Sequence, residues 1–142
     1  MSSNLTLPHW EHFEHGADIG IRGMGATVAQ AFEQAALAMT AVITELECVA
    51  AEQAFVIECQ APDVELLFVS WINELIYQMA VQRVVFRRYH VTIQNDRLTA
   101  TALGEAIDRA KHQPAVEIKG ATFTVEGKDA FGRNSGVAVV QA

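Results

Sequence analysis

The segment from Val64 to Met79 constrains this chain more than any other. Val64, Leu67, Phe68, Trp71, Ile72, Leu75, Ile76 and Met79 recur at three- and four-residue spacing, the period of one face of an α-helix. A face this wide and this rich in large side chains has to be covered, because each such side chain gains ~1.5–3 kcal/mol on leaving water. The start of the helix is also written in the sequence: Pro62 ends the preceding extended run, and Asp63 can accept from the first free backbone N–H groups. A second stripe, Val28, Phe32, Ala35, Ala36, Met39 and Ile43, follows Thr27, whose hydroxyl can cap in the same way.

Elsewhere the period shortens to that of strands. Phe13 to Met24 reads as one strand, with Ile19 and Ile21 on one face and Gly23 and Gly25 marking an exit turn. Leu46 to Cys59 reads as a broken or bulged strand with Cys48, Phe55 and Ile57 facing inward. Val84 to Ile93, a polar turn at Gln94-Asn95-Asp96-Arg97, and Leu98 to Asp108 form a natural hairpin. Val116 to Val125 follows the break at Pro114, Gly127 to Gly136 reads as a polar turn, and Val137 to Val140 as a final strand. Two amphipathic helices among strands in this order predict an α+β fold, the helices packed on largely antiparallel sheet. At 142 residues, a single domain over 1–142 is expected, with 1–11 as an N-terminal extension.

Charge narrows the range of functions. The formal net charge is −7, and the densest basic group, Arg83, Arg87 and Arg88, stands among apolar neighbours. Unaided nucleic-acid binding normally needs a basic footprint, so RNA or DNA is expected only indirectly, through a basic enzyme on which an acidic domain can dock. Cys48 and Cys59 lack Cys-x-x-Cys spacing and are expected to be buried and reduced. The first residues show no basic start followed by an apolar run, and no apolar stretch approaches the ~20 residues of a membrane span. A cytoplasmic protein without membrane contact is the resulting expectation.

No catalytic constellation emerges. His9, His12 and His15 cluster before the first strand, and His12 and His15 flank Glu14 near Asp18, but zinc requires three or four converging N or S ligands, and the cysteines lie far along the chain. No nucleophile elbow or phosphate loop is present, and the glycines from Gly20 to Gly25 read as turn formers. A small hydrolase using His12, Glu14 and Asp18 would lack a nucleophile and an oxyanion device. Asp18 is the most informative single residue: inside a strand-like segment, its charge needs solvent, a donor or a cation. Glu105 and Asp108, after Gly104, are either a polar bulge beside a site or an ordinary solvated strand end.

Taken in order, His15-Gly16-Ala17-Asp18-Ile19-Gly20-Ile21, the helix Ala31-Phe32-Glu33-Gln34-Ala35-Ala36-Leu37-Ala38-Met39, and Trp71-Ile72-Asn73-Glu74-Leu75-Ile76-Tyr77 resemble the archease family. The likeness continues through Gly104-Glu105-Ala106-Ile107-Asp108, His112 and Glu117-Ile118-Lys119-Gly120-Ala121-Thr122-Phe123, covering nearly all of the chain from His15 onward. It implies an accessory protein with no catalytic residues of its own, one that promotes guanylylation and multiple turnover of a GTP-dependent RNA ligase in tRNA splicing and RNA repair. It further implies a divalent cation, often calcium, held by the residues at Asp18, Gln141 and Ala142, with His15, Lys119, Glu105 and His112 facing the partner.

Some positions depart from the family pattern. Gln141-Ala142 stands where Asp-Ile is usual, Gly16 where Thr is usual, and Thr124 where His is usual. An amide in place of a carboxylate still offers an oxygen but lowers cation affinity. The alternative reading is therefore a diverged binding or chaperone-like module of the same fold that has lost the metal site. The acidic pocket requires the first β-segment to lie beside the tail.

Overall fold

The structure, a computed structural model, describes residues 8–15, 18–114, 120–128 and 134–141. Among these residues, seven strands and three α-helices follow one another as β1 (His9–His15), β2 (Asp18–Gly25), α1 (Val28–Ile43), β3 (Gln53–Gln60), α2 (Val64–Gln82), β4 (Val84–Gln94), β5 (Arg97–Ala106), α3 (Arg109–His112), β6 (Gly120–Lys128) and β7 (Asn134–Gln141). They form an α+β fold with two wholly antiparallel sheets rather than one: a four-stranded sheet in the order β1-β2-β7-β6 and a three-stranded sheet in the order β3-β5-β4.

Both long helices form where the caps and stripes place them. Thr27 accepts from the Gln30 N–H at 3.1 Å, and Asp63 Oδ1 accepts from the Leu66 N–H at 2.8 Å. Each satisfies a backbone donor that the first turn leaves without a partner. Thr27→Ala and Asp63→Ala should each cost about 1 kcal/mol, read as a shift of the urea midpoint without a change of slope; no shift would mean that the caps contribute nothing.

The helices lie between the two sheets. α1 packs on β1, β2 and β7 of one sheet and on β4 of the other, while α2 packs on β6 and on β3, β4 and β5. Apolar residues on both sides of each helix are therefore buried, among them Phe32, Ala35 and Met39 on α1 and Leu67, Phe68, Trp71, Ile72 and Leu75 on α2. By length and composition α2 would also suffice to cross a membrane, with a mean hydropathy of 1.2, which corrects the expectation that no stretch comes close to a span. Here its apolar residues fill the core.

Polar contacts fix how α1 sits. Gly23 of β2 approaches α1 so closely that a Cβ there would collide with the Ala31 carbonyl and the Ala35 nitrogen. His12 Nε2 donates to the Ala38 carbonyl at 2.7 Å, tying β1 to the helix. On the other side, Thr40 and Tyr89 share a hydrogen bond of 2.7 Å, and Glu33 accepts the Val91 N–H at 2.8 Å. β4 is an edge strand, so Glu33 closes one position on an edge that another chain could otherwise pair with.

Several boundaries differ from the sequence reading. Phe13 to Met24 is not one strand but the paired strands β1 and β2, so His9 to Glu11 belong to the sheet and not to an N-terminal extension. Cys48 lies in a 3-10 turn, Leu46–Cys48, and not in a strand. Both cysteines are free and half-buried rather than fully buried, and burial, followed by the charge of Glu74, pushes the Cys59 thiol up to about 11. The β5 strand ends at Ala106, and the short helix α3 follows it. β6 and β7 extend to Lys128 and from Asn134, into what reads in sequence as a turn.

Candidate functional site

Strand pairing brings the ends of four strands into one row. His15 of β1 pairs with Asp18 of β2, Ile19 of β2 pairs with Val140 of β7, and Gly120 of β6 pairs with Gln141 of β7. Extending the β2–β7 register by one position sets Asp18 opposite Gln141. Backbone positions 15, 18, 141 and 120 thus cross the four-stranded sheet side by side, and the first hairpin does lie beside β7. Asp18 is half-exposed, and among the described residues no donor reaches its carboxylate. Lys119 and Ala142 lie outside the described residues.

As a cation site this row has oxygen donors of the hard class calcium takes, a carboxylate at Asp18 and an amide at Gln141, but only one formal side-chain charge between them. Among the described residues, no group of three or more His, Cys, Asp and Glu side chains is placed to hold a metal ion. Two of the N-terminal histidines are otherwise engaged: His12 is bonded to α1, and His9 lies 3.2 Å from Glu11. Glu11 also pairs with Arg22, which holds its carboxyl below the usual range, and Arg22 lies over the Phe13 ring.

Glu105 and His112 form a second polar centre, at the end of β5. Glu105 accepts from Lys111 Nζ at 2.7 and 2.9 Å, from the Ala50 N–H at 2.9 Å and from His112 Nε2 at 2.8 Å. The Asp108 N–H donates to His112 Nδ1 at 2.9 Å, so the ring carries its proton on Nε2, facing the carboxylate. Thr44 at the end of α1 donates to the His112 carbonyl. The bonds from Lys111, the Ala50 N–H and His112 hold the Glu105 carboxyl down to about 2, and Glu105 in turn raises Lys111.

The His112 side chain is 0% exposed and that of Glu105 only 11%. The expectation that these two face a partner is therefore corrected: they turn toward each other and join the α1–β3 connection, β5 and α3. Lys111 escaped the sequence reading, although it stands beside His112 and six residues after Glu105. The signal that could have found it is Asp108, whose side chain accepts from the Ala110 and Lys111 N–H groups and so starts a helical turn that carries the lysine back to the carboxylate.

Comparison with known proteins adds to this geometry. Residues 10–125 match the model of the Archease protein family (MTH1598/TM1083). The chain belongs to the archease family. Protein archease of Pyrococcus furiosus is 39% identical over 82% of this chain and 85% of its own length. That of Pyrococcus abyssi is 36% identical over the same shares. The archease-like protein of Drosophila melanogaster is 32% identical over 85% of this chain and 81% of its own length.

Among solved structures, the solution structure of Methanobacterium thermoautotrophicum protein 1598 superposes with a TM-score of 0.76 at 28% identity, covering 94% of this chain and 98% of the other. The crystal structure of an archease described as a possible chaperone, from Thermotoga maritima, gives 0.56 at 16% identity, covering 93% and 96%, and at that identity speaks for the archease fold alone.

Proposed function

We propose that the chain is an accessory protein that promotes guanylylation and repeated turnover of a GTP-dependent RNA ligase acting in tRNA splicing and RNA repair. Membership of the archease family over residues 10–125 carries this reading. Its physical complement is an acidic chain, net charge −7, with a half-exposed carboxylate at Asp18 on the end of the sheet. An acidic surface of this kind is steered to the basic mouth of an enzyme that handles RNA. Asp18 is the acidic centre, with His15 and Lys119 as further partner contacts. RNA is met only through the ligase, in the cytoplasm.

In this reading Asp18, Gln141 and Ala142 would hold a divalent cation, calcium by donor class, which when bound supplies positive charge between the chain and an anionic group. Nucleotide transfer to a purified ligase, followed with and without stoichiometric chain, tests the role: acceleration is expected, and Asp18→Ala should abolish it while leaving the melting temperature within a few degrees. An unaccelerated ligase would overturn the proposal.

Gln141 favours a second reading, a binding or chaperone-like module of the same fold that has lost the metal site. Calorimetric titration with calcium separates the two site readings. Tight binding that Asp18→Ala removes favours the retained site; silence favours the module.

A further inference from the structure

We infer that the cleft where the end of α2, the start of β4 and α3 meet is a docking site for a protein segment that presents an apolar side chain flanked by Asp or Glu. The cleft has a volume of about 390 Å³, room for one or two large apolar side chains. Ile76 and Met79 are among the residues that form its buried floor, Ile43 and Ile107 line its sides, and Arg83 and Arg109 stand at its rim. The Ile107 N–H donates to the Arg83 carbonyl at 2.9 Å, which fixes the two sides of the cleft relative to each other.

Two independent observations point to an acidic, apolar partner. First, both arginines are exposed, and neither forms an ion pair with a described residue, in a chain whose 17 acidic side chains outnumber its 10 basic ones. Second, Arg83 closes α2 in the left-handed conformation, with φ 55° and ψ 52°. Glycine or asparagine is the ordinary occupant of such a position, because a side chain with a Cβ is disfavoured there. The arginine at that site places a cation at the cleft rim against the backbone preference. Cations from two different elements, the end of α2 and α3, beside an apolar floor suit a polypeptide that flanks an apolar side chain with acids better than a small acid.

The inference does not depend on the ligase role. A capped peptide Glu-Asp-Leu-Phe-Glu-Asp, a lysine-flanked counterpart Lys-Lys-Leu-Phe-Lys-Lys, and octanoate would be titrated into the full chain while amide NMR shifts are followed. The acidic peptide is expected to move the amides of Met79, Arg83, Ile107 and Arg109. Arg83→Gly combined with Arg109→Ala should weaken it at least ~10-fold, as expected for the loss of charge-assisted bonds. Arg83→Gly relieves the left-handed residue, so the double variant remains folded, and Asp18→Ala should leave peptide binding unchanged. The inference is overturned if those amides stay in place, if the lysine peptide binds as well, if the double variant binds equally, or if only octanoate binds, which would make the cleft a small-acid pocket.

Discussion

Trp71→Ala should destabilise the protein by about 3–5 kcal/mol, the range for removing a fully buried large aromatic side chain. Trp71 is 0% exposed and sits on α2 between the two sheets. Its indole N–H donates to the Phe32 carbonyl of α1 at 3.0 Å, and its ring meets Tyr89 of β4 edge-on at 5.8 Å. The substitution therefore opens a cavity, removes the indole bond that ties α2 to a carbonyl of α1 and removes an aromatic contact, three losses at a point where α1, α2 and β4 converge. Thermal unfolding should show a fall in Tm on the order of 10 °C. Trp71→Phe keeps most of the volume and loses the hydrogen bond, and should fall between the two. A loss under about 1 kcal/mol for Trp71→Ala would contradict this placement of the residue.

The second large effect concerns Glu105 and depends on pH. A carboxyl whose folded value is about 2, against an ordinary 4.5, stabilises the native state most fully above the ordinary value. That contribution is lost as pH falls from about 4.5 toward 2. Glu105→Ala should accordingly be markedly less stable than the parent near neutral pH, because His112 Nε2–H and the Ala50 N–H lose their acceptor and Lys111 its counter-charge. The difference between the two proteins should shrink as the solution is acidified through that window. Urea midpoints measured at several pH values check this; a difference that is flat from pH 7 to about pH 2.5 would show that the carboxylate network does not carry the stability assigned to it.

The parts of the fold legible in the sequence are those governed by local rules. Thr27 and Asp63 mark helix starts because capping depends on residues within one turn. The β4–β5 hairpin is legible because its turn falls on polar residues, with Asn95 at φ 56°, a left-handed value that asparagine tolerates. The errors come where local signals are ambiguous or absent. Leu46-Glu47-Cys48-Val49 mixes apolar and charged residues over too few positions for periodicity to tell a strand from a 3-10 turn. α3 spans four residues, too few to show a helical period.

Division into two sheets was not readable, because the insertion of β7 between β2 and β6 is a pairing between distant segments that leaves no mark in either. The same distinction holds at the site. A charged Asp18 within an apolar strand was visible in the sequence. The inward orientation of His112 was not, since it is set by the Asp108 N–H and by Glu105, whose positions depend on how β5 and α3 are folded.

The position of β7 also governs the order in which the molecule can assemble. The three-stranded sheet joins β3, β4 and β5 within one continuous stretch of chain, so it can form with α2 while later residues are still being synthesised. The β1–β2 hairpin is made early, yet its inner edge waits for a strand whose Val140 must find Ile19. Pairings of such separation close slowly. Until β7 arrives, one side of β2 is an open template, and the nascent chain is most exposed to mispairing there.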